Sequence, residues 1–183
     1  MHVKEKGKTG KEVAYSGIMA ALSVICIVLS GVIESNSLFF LAAASFLAGS
    51  VQRNTTFWWS AGFSAGCFLL GLVLAPQKLY CFTYLAFSVY VIVAEYFRKK
   101  ENARTWLVKG VVYHLLLAAA LFLVWKLASF DSFLEAGWIG KLYQAPVLFW
   151  IVMVILAEMI WLVFDRAYLF FQNRYGHYLL PGG

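Results

Sequence analysis

Two ionisable residues stand deep inside long apolar runs: His114, within Trp106 to Leu127, and Glu158, within Pro146 to Phe164. An ionisable side chain in hydrocarbon is costly, so it turns toward other helices, finds a partner, and often marks a path for ions or substrate. Counted along a helix, His114 lies about 12 Å from the start of its run. Glu158 lies about 18 Å from the start of its own run, hence about 12 Å from the far edge of a hydrocarbon core roughly 30 Å thick. If the two runs are antiparallel neighbours, the depths match and a hydrogen bond or ion pair is allowed. Such a pair either locks two helices together or serves ion coupling or gating. Glu95 stands one turn inside another run, where it can snorkel or pair with Arg98-Lys99-Lys100.

Other chemistry leaves no signature. There is no His-Glu-x-x-His, no Gly-x-Ser-x-Gly and no Walker loop. His2, His114 and His177 are too far apart in depth to form one metal site, and Cys26, Cys67 and Cys81 fit no metal-ligand or redox spacing. Cys26 and Cys67 read as small packing residues. The expectation is a chain that is not an enzyme and holds no metal or cofactor. Any ATP hydrolysis coupled to it would belong to a partner. The aromatics Trp58, Trp59, Tyr80, Tyr84, Tyr113, Trp125, Trp150 and Trp161 read first as an interfacial belt. Turned inward, a few of them would stack on a planar ligand.

The elements that position these residues are set by composition. Hydrophobic residues make up 62% of the 183 and charged residues 13%, against about half and a quarter in soluble domains. A soluble core of this size cannot hide that much apolar surface, so lipid must face much of it. Six runs qualify as spans: Val13 to Ile33, Leu38 to Val51, Thr56 to Ala75, Leu79 to Phe97, Trp106 to Leu127, and Pro146 to Phe164 continuing as helix to Phe171. The second is short, about 21 Å, unless its polar flanks continue the helix. The third and fourth form a hairpin about Pro76-Gln77-Lys78. The predicted organisation is a cytoplasmic tail over 1–12, one all-α transmembrane domain over 13–171, and a cytoplasmic tail over 172–183. No cleavable signal peptide is evident. With both termini inside, only Lys78, Lys126 and Lys141 of the 15 Lys and Arg fall outside. That bias sets the orientation, and it also explains the net charge of +6 without nucleic acid.

Several spans carry small residues at three- and four-residue spacing, which lets helices approach closely in lipid. The first half of span one has Ala14, Ser16, Gly17, Ala20 and Ala21. Span two has Ala42 to Ser45, Ala48 and Gly49. Span three has Gly62-x-x-x-Gly66, Ala61-x-x-x-Ala65 and Cys67-x-x-x-Gly71. The three outer loops hold Glu34 and Asn36, Gln77 and Lys78, and Asp131 to Tyr143. Together they could close over an outward-facing cavity.

Six spans in about this length, both ends inside, and a small-residue face on the inner half of span one resemble the substrate-binding S component of energy-coupling factor (ECF) transporters. The stretch from about 13 to 127 is also similar to a group of small six-span bacterial membrane proteins with that fold, through Leu74-Ala-Pro-Gln-Lys78 and Trp106-Leu-Val-Lys109. The resemblance implies an S-component-like bundle in the bacterial inner membrane that captures a vitamin-like molecule or a metal ion from outside. It implies a transmembrane coupling protein and two ABC-type ATPases as partners. By the same resemblance, an Ala-x-x-x-Ala-like contact with the coupling protein falls on Gly17 and Ala21 or on Ser16 and Ala20. The substrate site falls under the outer loops, with Glu34, Asn36, Lys78, Tyr80 and Trp138 as candidate contacts. The alternative is a non-transporting scaffold similar to the small rod-shape proteins of wall synthesis. An intramembrane enzyme is a third, weaker reading, since no nucleophile–base pair is visible.

Overall fold

The computed structural model describes residues 10–98, 102–127 and 146–176. Within them the chain is all-helical, with no strand. The elements are α1 (Gly10–Val32), a 3-10 turn (Glu34–Asn36), α2 (Ser37–Asn54), α3 (Phe57–Leu74), α4 (Lys78–Phe97), α5 (Ala103–Leu127) and α6 (Pro146–Tyr175). Among the described residues, α1, α3 and α4 are long and apolar enough to cross a membrane.

The helices run past the apolar stretches wherever a polar residue finds a partner. α2 continues through Gln52, Arg53 and Asn54. Gln52 Nε2 donates to the Ile92 carbonyl, Arg53 Nε to Glu95, and Asn54 Nδ2 to the Tyr15 hydroxyl. The short second apolar run is therefore part of a helix of 18 residues, about 27 Å long. α6 runs to Tyr175, so Gln172, expected to open a tail, is instead a buried helical residue. At the other end of the chain, α1 begins at Gly10, inside the expected tail. α3 stops at Leu74 because Pro76 forces Ala75 into the extended region (φ −75°, ψ 138°). α5 is started by Asn102 and Thr105, where Thr105 Oγ1 accepts from the Asn102 N–H and donates to its carbonyl.

Cross-helix contacts give the topology. Ser23–Ala44 and Tyr15–Asn54 make α1 and α2 antiparallel. Ser60–Ala48 does the same for α2 and α3, and Lys109–Asp165 with His114–Glu158 for α5 and α6. α2, α4 and α6 run parallel to one another through Gln52–Ile92, Arg53–Glu95 and Tyr168–Glu95. Successive helices thus alternate in direction. One end of the bundle, the basic end, collects Lys11, Arg53, Arg98, Arg104 and Arg174. The other end carries the α1–α2 and α3–α4 turns.

α1 to α4 enclose one core of Val24, Ile27, Leu41, Ala44, Cys67, Cys81 and Tyr84. A second core, of Phe46, Tyr90, Val91, Ala94, Trp161 and Tyr168, attaches α6 to α2 and α4. Close approach favours glycine at Gly49 and Gly71, as it does at Gly31 against Pro76. A Cβ on Gly49 would overlap the Tyr168 hydroxyl and Val91, and one on Gly71 would come within 3.1 Å of Ile27 and 3.2 Å of Cys81. Half of the eight buried serines among the described residues are satisfied by their own helix: Ser30, Ser45, Ser50 and Ser88 donate to carbonyls three or four residues back.

Candidate functional site

The small-residue face of α1 is two faces. Ser16 is buried and its Oγ accepts from Trp59 Nε1 at 2.9 Å; Ala20 packs beside the core, its carbonyl 4.0 Å from Cys67 Sγ. Both therefore face α3 within the chain. Gly17 and Ala21, one step of about 100° further round the helix, are exposed, and among the described residues nothing lies within 4 Å of a Cβ placed on Gly17. α3 divides in the same way. Cys67 and Gly71 pack inward, while Gly62 and Gly66 are exposed with open space beside them, so the Gly62–Gly66 pair makes no helix contact among the described residues.

These open positions share one side. α1 and α3 are parallel and touch at Ser16–Trp59 and Ile27–Gly71. For two parallel helices, the position after a contact on one and the position before it on the other point the same way. Gly17 and Ala21 follow Ser16 and Ala20, and Gly62 and Gly66 precede Phe63 and Cys67. α2 packs on the opposite side, through Ser23–Ala44 and Ser60–Ala48. Four small residues from two helices therefore line one outward face.

At the turn end, Gly31 packs against Pro76, which brings the α1–α2 and α3–α4 turns together. Asn36 is exposed, Lys78 is exposed with its Nζ donating to the Ala75 carbonyl at 2.8 Å, and Tyr80 is half-buried. Lys78 thus closes its own turn. Trp138, the rest of 128–145 and the side chain of Glu34 lie outside the described residues, as do the side chains of Trp125 and Trp150.

At the basic end Glu95 does not snorkel. Its side chain is 3% exposed and accepts from Arg53 Nε at 2.8 Å, from Arg98 Nε and, through Oε2, from the Tyr168 hydroxyl at 2.6 Å. Gln172 extends the knot, donating to the Phe46 carbonyl and to Ser50 Oγ, while its own carbonyl accepts from Arg53. A buried carboxylate is tolerable only with this degree of pairing. The expected partner Arg98 is present; Arg53, Tyr168 and Gln172 are additional.

The α5–α6 seam holds the expected His114–Glu158 pair. His114 Nε2 lies 3.0 Å from Glu158 Oε1, and His114 Nδ1 lies 2.8 Å from the Gly110 carbonyl. That carbonyl only accepts, so Nδ1 carries a hydrogen. A bond between Nε2 and Oε1 then needs one proton shared by the pair. The pair is not enclosed, with side chains 51% and 41% exposed. It borders a cavity of about 430 Å³ lined by Trp106, Leu107, Gly110, Val111, Leu115 and Trp161. A second cavity of about 320 Å³ lies nearer the basic end, where Asn102, Thr105, Lys109, Asp165 and Arg166 meet the same two tryptophans. Trp106 and Trp161 rings stand 5.1 Å apart.

Three residues here escaped the sequence reading. Asp165 accepts from the Tyr90 hydroxyl at 2.8 Å and faces Lys109 Nζ at 3.8 Å. Trp161, read as belt, is buried and donates to the Tyr90 hydroxyl at 2.8 Å. Tyr84, also read as belt, is fully buried beside Ser64 and Cys67. The available signal was position, because all three lie away from helix ends or inside a run of large apolar residues. Trp58, by contrast, is 82% exposed at a helix start, as a belt residue would be. No group of three or more His, Cys, Asp or Glu among the described residues could hold a metal ion.

No known family matches the chain, and no curated protein and no solved structure matches it.

Proposed function

We propose that this chain is a six-span protein of a bacterial cytoplasmic membrane, with both termini inside, that captures a small molecule on its outer side and hands it on through a membrane partner docked against α1 and α3. The spanning part is supported by the three long apolar helices, by the alternation of all six, and by the gathering of basic residues at one end. The single observation that carries the partner is the open face of Gly17, Ala21, Gly62 and Gly66. In lipid, helices associate by close packing, and small residues at four-residue spacing let a neighbour approach closely. The resemblance to S components of energy-coupling factor transporters makes that neighbour a coupling protein working with two ABC-type ATPases.

A non-transporting scaffold is the second reading. It is favoured by the described outer turns, which close on each other through Gly31 and Pro76, with Lys78 held by its own turn. Affinity purification of the tagged protein from its native membrane in mild detergent separates the two. The capture reading expects a coupling protein and ATPases in the eluate, and their loss in Gly17→Leu. Recovery of wall-synthesis proteins without ATPases would replace capture by scaffolding.

A further inference from the structure

A polar pair that is half exposed at mid-depth of a membrane is an anomaly. Most of what surrounds it is apolar: Leu107, Val111 and Leu115 on α5, Ile155 and Met159 on α6. Hydrocarbon offers a carboxylate no hydrogen bond, and an unmet polar group there is costly. His114 and Glu158 satisfy each other through Nε2 and Oε1, and Nδ1 is spent on Gly110. Among the described residues no hydrogen bond reaches Glu158 Oε2, which leaves an acceptor at the edge of the 430 Å³ cavity. That volume is in the range of small-molecule sites, which pair aromatic and aliphatic walls with a few polar groups. Phospholipid headgroups remain at the interface, about 12 Å from this depth. The connector 128–145 carries Asp131, Glu135 and Lys141, which hydrocarbon disfavours.

We propose that the α5–α6 cleft binds a molecule dissolved in the bilayer interior that carries a hydroxyl head on an apolar chain, of the long-chain alcohol class. Its hydroxyl donates to Glu158, and its chain lies along Val111 and Leu115 with Trp106 as a wall. A donor is required because the open atom is a carboxylate oxygen. An ester or ether of the same chain fills the same volume without supplying one. The site is separate from the α1–α3 face and from the outer turns. It rests on the spanning of α5 and α6 but on no other part of the proposed function.

The test uses the full chain in phospholipid nanodiscs, photolabelled with a diazirine-bearing long-chain alcohol and mapped by mass spectrometry. Labels are expected on residues 106–115 and 158–161, saturable. Unlabelled alcohol should compete at a concentration about three- to tenfold below that of its acetate ester, the size of one hydrogen bond. His114→Leu/Glu158→Leu removes both partners together, leaves no orphan charge, and should abolish the saturable labelling without lowering the unfolding temperature. Equal competition by the ester overturns the proposal without any variant. So does saturable labelling that survives in the double variant, or a second polypeptide crosslinked over the pair. A diazirine hydrocarbon without a donor serves as the control. If it marks Val154 and Ile155 while the alcohol shows no preference, only this site falls. If it marks neither helix, the spanning of α5 and α6 falls with it.

Discussion

Glu95 ties three helices with one carboxylate, receiving Arg53 from α2, Arg98 from α4 and Tyr168 from α6. Removing it leaves Arg53, whose side chain is only 17% exposed, without its counter-charge. Glu95→Leu should therefore cost about 3–5 kcal/mol. Glu95→Leu/Arg53→Met should recover most of that loss, read as unfolding of the detergent-solubilised protein. Equal losses in the single and double variants would mean that the Arg53 contact carries no weight. Gly49 offers a second measurement. Its missing side chain is the space taken by Tyr168 and Val91, so Gly49→Ala should destabilise by about 1–3 kcal/mol. Gly62→Ala, with open space beside it in a helix interior, should not destabilise and should gain about 0.4–1 kcal/mol. The Glu95–Arg98 pair was legible because three residues on a helix bring side chains together. The Arg53 partner was not, being 42 residues away.

α1 shows what an element adds. Its small residues were visible as a set, yet Ser16 and Ala20 are spent on α3 while Ala14, Gly17 and Ala21 remain open. The two sets therefore predict opposite behaviour. Ser16→Leu removes the acceptor of Trp59 Nε1 and crowds a buried position, so it should lower the unfolding temperature. Gly17→Leu should leave that temperature unchanged and weaken capture of the membrane partner. A Gly17→Leu protein that unfolds early would place this face inside the bundle. Neighbouring positions on a helix differ by about 100°, and a sequence names both without saying which one meets a neighbour. The same step explains why Gly62 and Gly66 point outward while Cys67 and Gly71 are packed.

For the whole molecule the prediction concerns sidedness. Cys26, Cys67 and Cys81 can be replaced to give a cysteine-free background. Single cysteines at Asn36 and Gln77, both exposed at the turn end, should then react with an impermeant maleimide on intact cells; cysteines at Asn102 and Asn173, at the basic end, should react only after lysis. Labelling of all four from one side would end the six-span topology. Much of the architecture needed no coordinates. Apolar runs long enough to cross hydrocarbon, separated by polar and basic turns, specify helices, approximate ends and alternation, because each depends on composition over a dozen or more neighbouring residues. The facing of His114 and Glu158 was also within reach, since depth along a helix is additive and both depths could be counted. The tertiary structure alone decided which side of each helix is open, that Glu95 is buried among Arg53, Tyr168 and Gln172, and that Trp161 and Tyr84 are core. Those facts depend on the rotation of one helix against another, and rotation is set by packing between residues far apart in the chain, about which local pattern carries no information.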